Sequence, residues 1–431
     1  MRAAKTSDSR KASDVWVPTG WSAARLGTIA SVRNGKRIAE KGVPCIELEH
    51  VEPESGRLFG WDDSGTQASV KTTFSKGDVL FGKLRPYLRK YAVAPFDGIC
   101  TTEILAIHSE RETSDGRFFF YLMQGDGVFS TIETLSYGTK MPRVSWADLS
   151  DIEVRIPPLR EQQKIAAILT TVDDKLDVIA RQIEATQTLK RGLMQRLFSR
   201  GAGTPDSEWR LVAHTEFKES ELGIIPKKWT VAEILSIADV IRGASPRPQG
   251  DPRYYGGSVP RLMGADVTRD GKYVTPQIDF LTEEGAKRSR PCPKGTLTII
   301  CSGDVGIPSF LAVDACIHDG FLALVNIDEL KASKNFLYHI IFSLKQKFDA
   351  SATHGGVFTN LTTEILKKFL LPLPPLDEQV RIASVLDAAD EKLTIARKKM
   401  ALYQAMKRGL MQKLLTGEWR VKLDDVEPMA V

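Results

Sequence analysis

The second half of this 431-residue chain repeats the first, and each copy closes in one long helical pattern. Ile156-Pro157-Pro158-Leu159-Arg160-Glu161-Gln162 returns as Leu373-Pro374-Pro375-Leu376-Asp377-Glu378-Gln379, an offset of 373 − 156 = 217. The offset holds without a gap to Leu197/Leu414, and Lys190-Arg191-Gly192-Leu193-Met194-Gln195 recurs unchanged from Lys407 to Gln412. Over 156–198 against 373–415, 19 of 43 positions are identical, far beyond chance. A period this long is no solenoid repeat. It is a half-molecule used twice, which suits a partner offering two sites at fixed spacing.

Within each copy the apolar residues fall on a heptad. Ile165, Leu169, Val172, Leu176, Ile179 and Ile183 are spaced 4, 3, 4, 3, 4, and their counterparts are Ile382, Leu386, Ala389, Leu393, Ala396 and Met400. After a slip in phase the stripe is expected to continue through Leu189, Leu193, Leu197 and Met406, Leu410, Leu414. No proline interrupts either segment, Glu161 and Glu378 place acid in the first turn, and Gly201 and Gly417 mark the ends. Two helices of nearly forty residues follow, each roughly 55–60 Å long at ~1.5 Å per residue. The economical partner for each stripe is the other copy, in an antiparallel coiled coil. Ile165, Leu169, Val172, Leu176, Ile179, Ile382, Leu386, Leu393 and Met400 are the expected pairing residues.

The preceding regions read as mixed. Short β-rich runs (Val79-Leu80-Phe81, Ile104 to Ile107, Leu297 to Ile300, Leu322 to Val325) are bounded by Gly, Pro and Asp turns, and helical stretches lie at 117–123 and 335–348. The fold class is α+β: two globular domains alternating with two long helices, pseudo-two-fold. The expected boundaries are a disordered tail 1–14, a first domain 15–155, a first helix 156–200, a linker 201–228, a second domain 229–372, a second helix 373–417 and a tail 418–431. Pro18, Trp21 and Gly35 match Pro226, Trp229 and Gly243 at an offset of 208, which favours a structural role for the tryptophans.

Composition excludes some classes. No stretch approaches the ~20 apolar residues of a membrane span. Five scattered cysteines with no Cys-x-x-Cys argue for reduced thiols in a cytoplasm, against a zinc site or disulfide framework. The net charge is +5, but residues 161–200 carry 7 − 5 = +2 and 378–417 carry 8 − 4 = +4. The rest of the chain therefore sums to −1, and any nucleic-acid surface there must come from local clustering. No phosphate loop, Gly-rich cofactor loop, amino-methyltransferase motif or His-Glu-x-x-His is present, and Asp97 with Glu103 lacks a lysine at nuclease spacing.

Two variable globular domains, each followed by a Pro-Pro-Leu-x-Glu-Gln helix, resemble the specificity subunit of a type I restriction–modification enzyme. The resemblance spans Trp16 to Trp419. Gly77-Asp78-Val79-Leu80-Phe81-Gly82-Lys83-Leu84-Arg85-Pro86-Tyr87 resembles that family's target-recognition domains, as does Glu221 to Pro226 ahead of Trp229. The resemblance implies a non-catalytic chain that reads an asymmetric, two-part duplex sequence in the major groove, with the helices as ruler. It implies two modification subunits carrying S-adenosylmethionine for adenine methylation. It also implies restriction subunits using ATP and Mg, and no membrane. Other readings are a coiled-coil adaptor and an autonomous duplicated-domain nuclease.

Candidate DNA contacts follow from clustering. Lys83, Arg85, Arg89 and Lys90, with Tyr87 between them, are the densest cationic group of the first domain; Arg suits bidentate contact with guanine, and cations neutralise phosphates. Lys140 and Arg143 sit in a Gly-containing loop whose counterpart carries His354 and Asn360. Arg242, Arg247 and Arg253 occupy a proline-stiffened loop of the second domain. Solvated surface charge is the competing reading for each. Lys190, Arg191, Lys407 and Arg408, duplicated on the helices, are candidates for docking a partner twice; the bland reading is a solvated face.

Overall fold

The computed structural model describes residues 17–423 apart from 64–68, 139, 206, 207, 209, 352, 356 and 357. It divides into two compact units, one formed by the chain up to Arg181 and from Lys398 onward, the other by Gln182–Arg397. The long helices run Leu159–Arg200 and Leu376–Leu415, 42 and 40 residues. Each ends where a glycine takes the left-handed conformation, Gly201 at φ +78° and Gly417 at φ +74°, which removes the Cβ penalty of such a stop.

In the first unit, strands 30–32, 104–109, 79–82 and 91–93 form an antiparallel sheet in that order. Val79–Gly82 is buried throughout, as befits a central strand. A second sheet orders strands 36–38, 70–74, 98–100, 44–46 and 62–63, with 44–46 parallel to 98–100. The second unit repeats both. Strands 239–242, 321–325, 297–300 and 308–311 match the first sheet, with 273–274 added at its edge. Strands 279–281, 255–262, 315–317 and 290–292 match the second, again with one parallel pair, 255–262 and 315–317. One topology thus underlies two domains with little shared sequence.

Helices 116–122 and 334–343 begin within a residue of the predicted stretches, the second breaking at Leu344 before a further helix 345–351, and they pack each domain on its long helix through Phe118 and Phe119 in one unit and Phe336 and Ile340 in the other. Ile165 and Leu169 sit in the first core, and Ile382 and Leu386 in the second. Val172, Leu176, Ile179 and Leu393 are also buried and Met400 is half-buried.

The duplicated signature has a structural use. Glu161 and Glu378 are buried carboxylates that accept the indole N–H of Trp21 (3.3 Å) and Trp229 (3.0 Å). Gln162 donates to the carbonyls of Thr113 and Pro157, and Gln379 to those of Lys331 and Pro374. Glu and Gln therefore staple each helix start to its own domain. The remaining partners differ: Arg420 donates twice to Glu161 (2.8 Å each), whereas the backbone N–H of Ala202 (2.9 Å) and His214 Nε2 (2.8 Å) contact Glu378.

In each unit the two helices run antiparallel. Lys407 Nζ lies 2.7 Å from Asp173 in the first unit, and Lys190 Nζ 2.5 Å from Asp390 in the second, related by the same offset. Two corrections follow. Lys190 and Lys407, expected as docking groups, are mostly buried in these intrachain pairs, while Arg191 and Arg408 stay exposed. Leu189 and Met406, expected in the stripe, are 58% and 44% exposed, because the phase slip turns them out of the seam. Among the described residues no helix is long and apolar enough to cross a membrane.

One buried polar group differs in kind between the repeats: where the Tyr121 hydroxyl of the first donates to Asp173 (2.8 Å), the second places a histidine. His339, fully buried, donates Nε2–H to Asp387 on the long helix (2.7 Å), and Lys272 pairs with the same carboxylate. Asp390 is the other acid near this ring. Burial pushes the His339 pKa below the ordinary value, against the pull of Asp387. Burial works against the Asp387 carboxylate too, but His339 and Lys272 outweigh it and hold its pKa below the usual range. The unfolded chain therefore takes up the histidine proton first, near pH ~6.5, while Asp387 stays ionised. Stability is expected to fall as pH drops below ~6.5, by up to about 1.4 kcal/mol per pH unit. His339→Leu should lose less between pH 7.5 and 5.5 in thermal melts. An equal loss in both proteins would exclude His339 as the source.

Candidate nucleic-acid interface

In the first unit the loop after strand 79–82 is tied by its backbone to two others. Lys83 N–H donates to the Glu103 carbonyl (3.0 Å), Arg85 N–H to Pro142 (2.7 Å), and Leu84 bridges Arg143. The second unit repeats this tie. Cys301 N–H donates to Gly320 (2.9 Å), Leu361 N–H to Cys301 (2.8 Å), and Ser302 bridges Asn360. Clusters separated by some sixty residues thus meet in each domain: 83–87, 101–103 and 141–143 in one, and 301–302, 318–320 and 358–361 in the other. These loops are pinned to central strands, so their side chains are carried on a rigid scaffold.

The individual placements are uneven. Arg85 takes a left-handed backbone (φ +50°), and its Nε is buried with no hydrogen-bond partner among the described residues. A non-glycine residue in that region costs energy and marks a held side chain. Tyr87 and Lys140 are exposed, and Lys83 is half-buried. Arg143 is held by Glu103 (Nε to Oε2, 3.1 Å). Two members of the predicted cluster leave it. Lys90 donates to the Leu48 carbonyl (2.7 Å), and Arg89 lies over the Phe129 ring (4.1 Å) beside Asp126. The left-handed Arg89 backbone and the following strand 91–93 turn both side chains toward their own domain.

In the second unit Arg242 and Asn360 are joined (3.3 Å), and Arg242 Nε also donates to the Asp319 carbonyl (3.0 Å). Arg247 stays exposed near Asp319 (3.5 Å). Arg253 is exposed but folded back on Asp251 (2.7 Å). The side chain of His354 lies outside the described part of the structure. Sequence patterning passed over Asp319 and the part Glu103 plays as arginine partner. The available signal was position: both lie directly ahead of apolar runs at 104–107 and 321–325 that align as one strand.

The comparisons agree with a reader. The model of the type I restriction modification DNA specificity domain matches residues 18–187 and again 226–402. The type I restriction enzyme MjaVIII specificity subunit of Methanocaldococcus jannaschii is 25% identical over 94% of this chain and 94% of its own length. The solved S subunit of the type I restriction-modification system of M. genitalium superposes with a TM-score of 0.60 at 16% identity, over 92% of this chain and 96% of that one. A chain from a structural study of complex assembly in the type I R-M system does so with a TM-score of 0.54 at 21% identity, over 94% of this chain and all of that one. The solved structures share the fold, and the doubled domain match identifies the molecule: the chain belongs to the type I restriction–modification DNA specificity family, whose members are the non-catalytic DNA-recognition subunits of type I restriction enzymes.

Proposed function

We propose that each globular domain reads one half of a two-part DNA target, and that the paired helices set the unread gap between the halves. The observation that carries this is one scaffold bearing two different sets of side chains: Lys83, Arg85, Glu103 and Arg143 at one reading face, Arg242, Asp319 and Asn360 at the other. A shared fold with unlike contact residues is what an asymmetric bipartite sequence requires.

The same proposal places two modification subunits on the helices. Val178, Leu402 and Met406 are exposed on the helices of the first unit, and Ile395 and Leu189 on those of the second, with Ala185. Each residue of one set is 217 positions from its equivalent in the other. Arg191 and Arg408 flank these apolar positions. Exposed apolar residues repeated in two copies fit one kind of partner bound twice. S-adenosylmethionine would sit on those partners, ATP and Mg on the restriction subunits, and the assembly would work in the cytoplasm.

Exchanging residues 229–372 for the equivalent segment of a relative, in the assembled methyltransferase, tests the two-reader scheme. Mapping methylated adenines should show one half of the target replaced and the other retained. A change in both halves would refute independent readers. A purified chain whose duplex binding is insensitive to salt would favour the adaptor reading instead.

A further inference from the structure

We infer that Asp319 reads a base edge directly, accepting a hydrogen bond from the N4 amino group of a cytosine in the half-site of the second domain. The inference rests on the DNA-reading role proposed above.

Asp319 stands where the two domains differ most simply. The strand registers align Cys100 with Ile317 and Ile104 with Phe321, so Thr102 of the first domain occupies the position of Asp319 in the second. Both lie on the loop joined to the reading face by the backbone ties at Lys83 and Cys301. The Asp319 backbone and side chain are each fixed from the neighbouring loop 242–247. Arg242 holds its carbonyl (3.0 Å), and the Ser245 hydroxyl donates to Oδ1 at 2.6 Å. Gly243 allows this approach, since a Cβ there would lie 2.0 Å from the His318 carbonyl oxygen.

The other carboxylate oxygen is held loosely. Arg247, 69% exposed, reaches Oδ2 only at 3.5 Å, and Asp319 itself is 50% exposed. An ion pair so exposed contributes little; the structural contacts fall on Oδ1, from Ser245 and from His318 Nδ1 at 3.4 Å, and leave Oδ2 for a further donor. A carboxylate presented to a polyanion also costs binding energy unless a donor meets it. In the major groove the donors are the amino groups of cytosine and adenine. Adenine sets its N7 acceptor beside the amino group, which repels a second carboxylate oxygen; cytosine does not. Glu103 of the first domain behaves differently, because its carboxylate is engaged by Arg143 at 3.1 Å.

The test is selection from a randomised duplex DNA library on the full chain assembled with its modification subunits. Wild type, Asp319→Asn and Ser245→Ala are compared, with thermal melts to confirm folding. Wild type should require a cytosine at one position of one half-site, with thymine disfavoured at least ~tenfold. Asp319→Asn should reduce that discrimination to about twofold and leave all other positions unchanged. Ser245→Ala, which frees the carboxylate without removing it, should bind more weakly yet keep the cytosine. An unchanged two-part consensus with Asp319→Asn would overturn the role of Asp319 and leave the two-reader scheme standing. A uniform loss of affinity for all sequences would overturn it as well. No two-part consensus for wild type would overturn the scheme and this inference together.

Discussion

Deleting residues 179–185 together with 396–402 is expected to abolish binding to the natural target and to create binding to one whose unread gap is shorter by about three base pairs. One heptad leaves each helix, so the apolar seam stays in phase and the Asp173–Lys407 and Lys190–Asp390 pairs are retained. Each helix shortens by about 10 Å at ~1.5 Å per residue. Against a duplex advancing ~34 Å per turn of ~10 base pairs, that removes about three base pairs and nearly a third of a turn. The natural target then presents its half-sites at the wrong distance and on the wrong side. Selection from gap-length libraries measures the outcome. Full affinity for the original gap would rule out the helices as spacer.

Replacing Glu378 by Ala is expected to destabilise the second unit by about 3–5 kcal/mol, because a buried charge is removed and its partners are stranded. Trp229 Nε1, the Ala202 N–H and His214 Nε2 all converge on this one carboxylate, and the His214 side chain is itself only 7% exposed. Water cannot replace the lost acceptor without opening the core. Glu161→Ala should cost less, about 1–3 kcal/mol, since its main partner, Arg420, can turn outward into solvent. Urea titration of the two variants side by side checks the order. Equal costs would mean that the linker contact at Glu378 adds nothing.

The helices were legible because a heptad repeated at a fixed offset is a strong signal; both were placed to within a few residues of their observed ends. The signal failed where phase mattered. Leu189 and Met406 fit the spacing of a continued stripe, yet the slip leaves them on the outside, and only a partner for the seam decides which residues turn in. The strand runs were legible for the same reason of apolar patterning, but their order was not, since sheet order depends on contacts far apart in sequence. The candidate interface was half legible. Cationic clustering drew together four neighbours, of which Lys83 and Arg85 lie on the pinned loop, whereas Lys90 and Arg89 are claimed by a carbonyl of Leu48 and the ring of Phe129. Asp319 was invisible to a search for positive charge, and its meaning rests on the loop at 242–247 folding against it.

The latch from Arg420 to Glu161 has a consequence for synthesis. The first unit needs Lys407, Leu414 and Arg420 to complete its core and its buried carboxylate, so its last pieces are made only after the whole of the second unit. The second unit is one uninterrupted stretch, Gln182–Arg397. Domains usually finish folding in the order in which they leave the ribosome. Here that order is reversed: the second unit can close while the first still waits, and a chain cut between Arg397 and Lys407 would carry its damage at the opposite end.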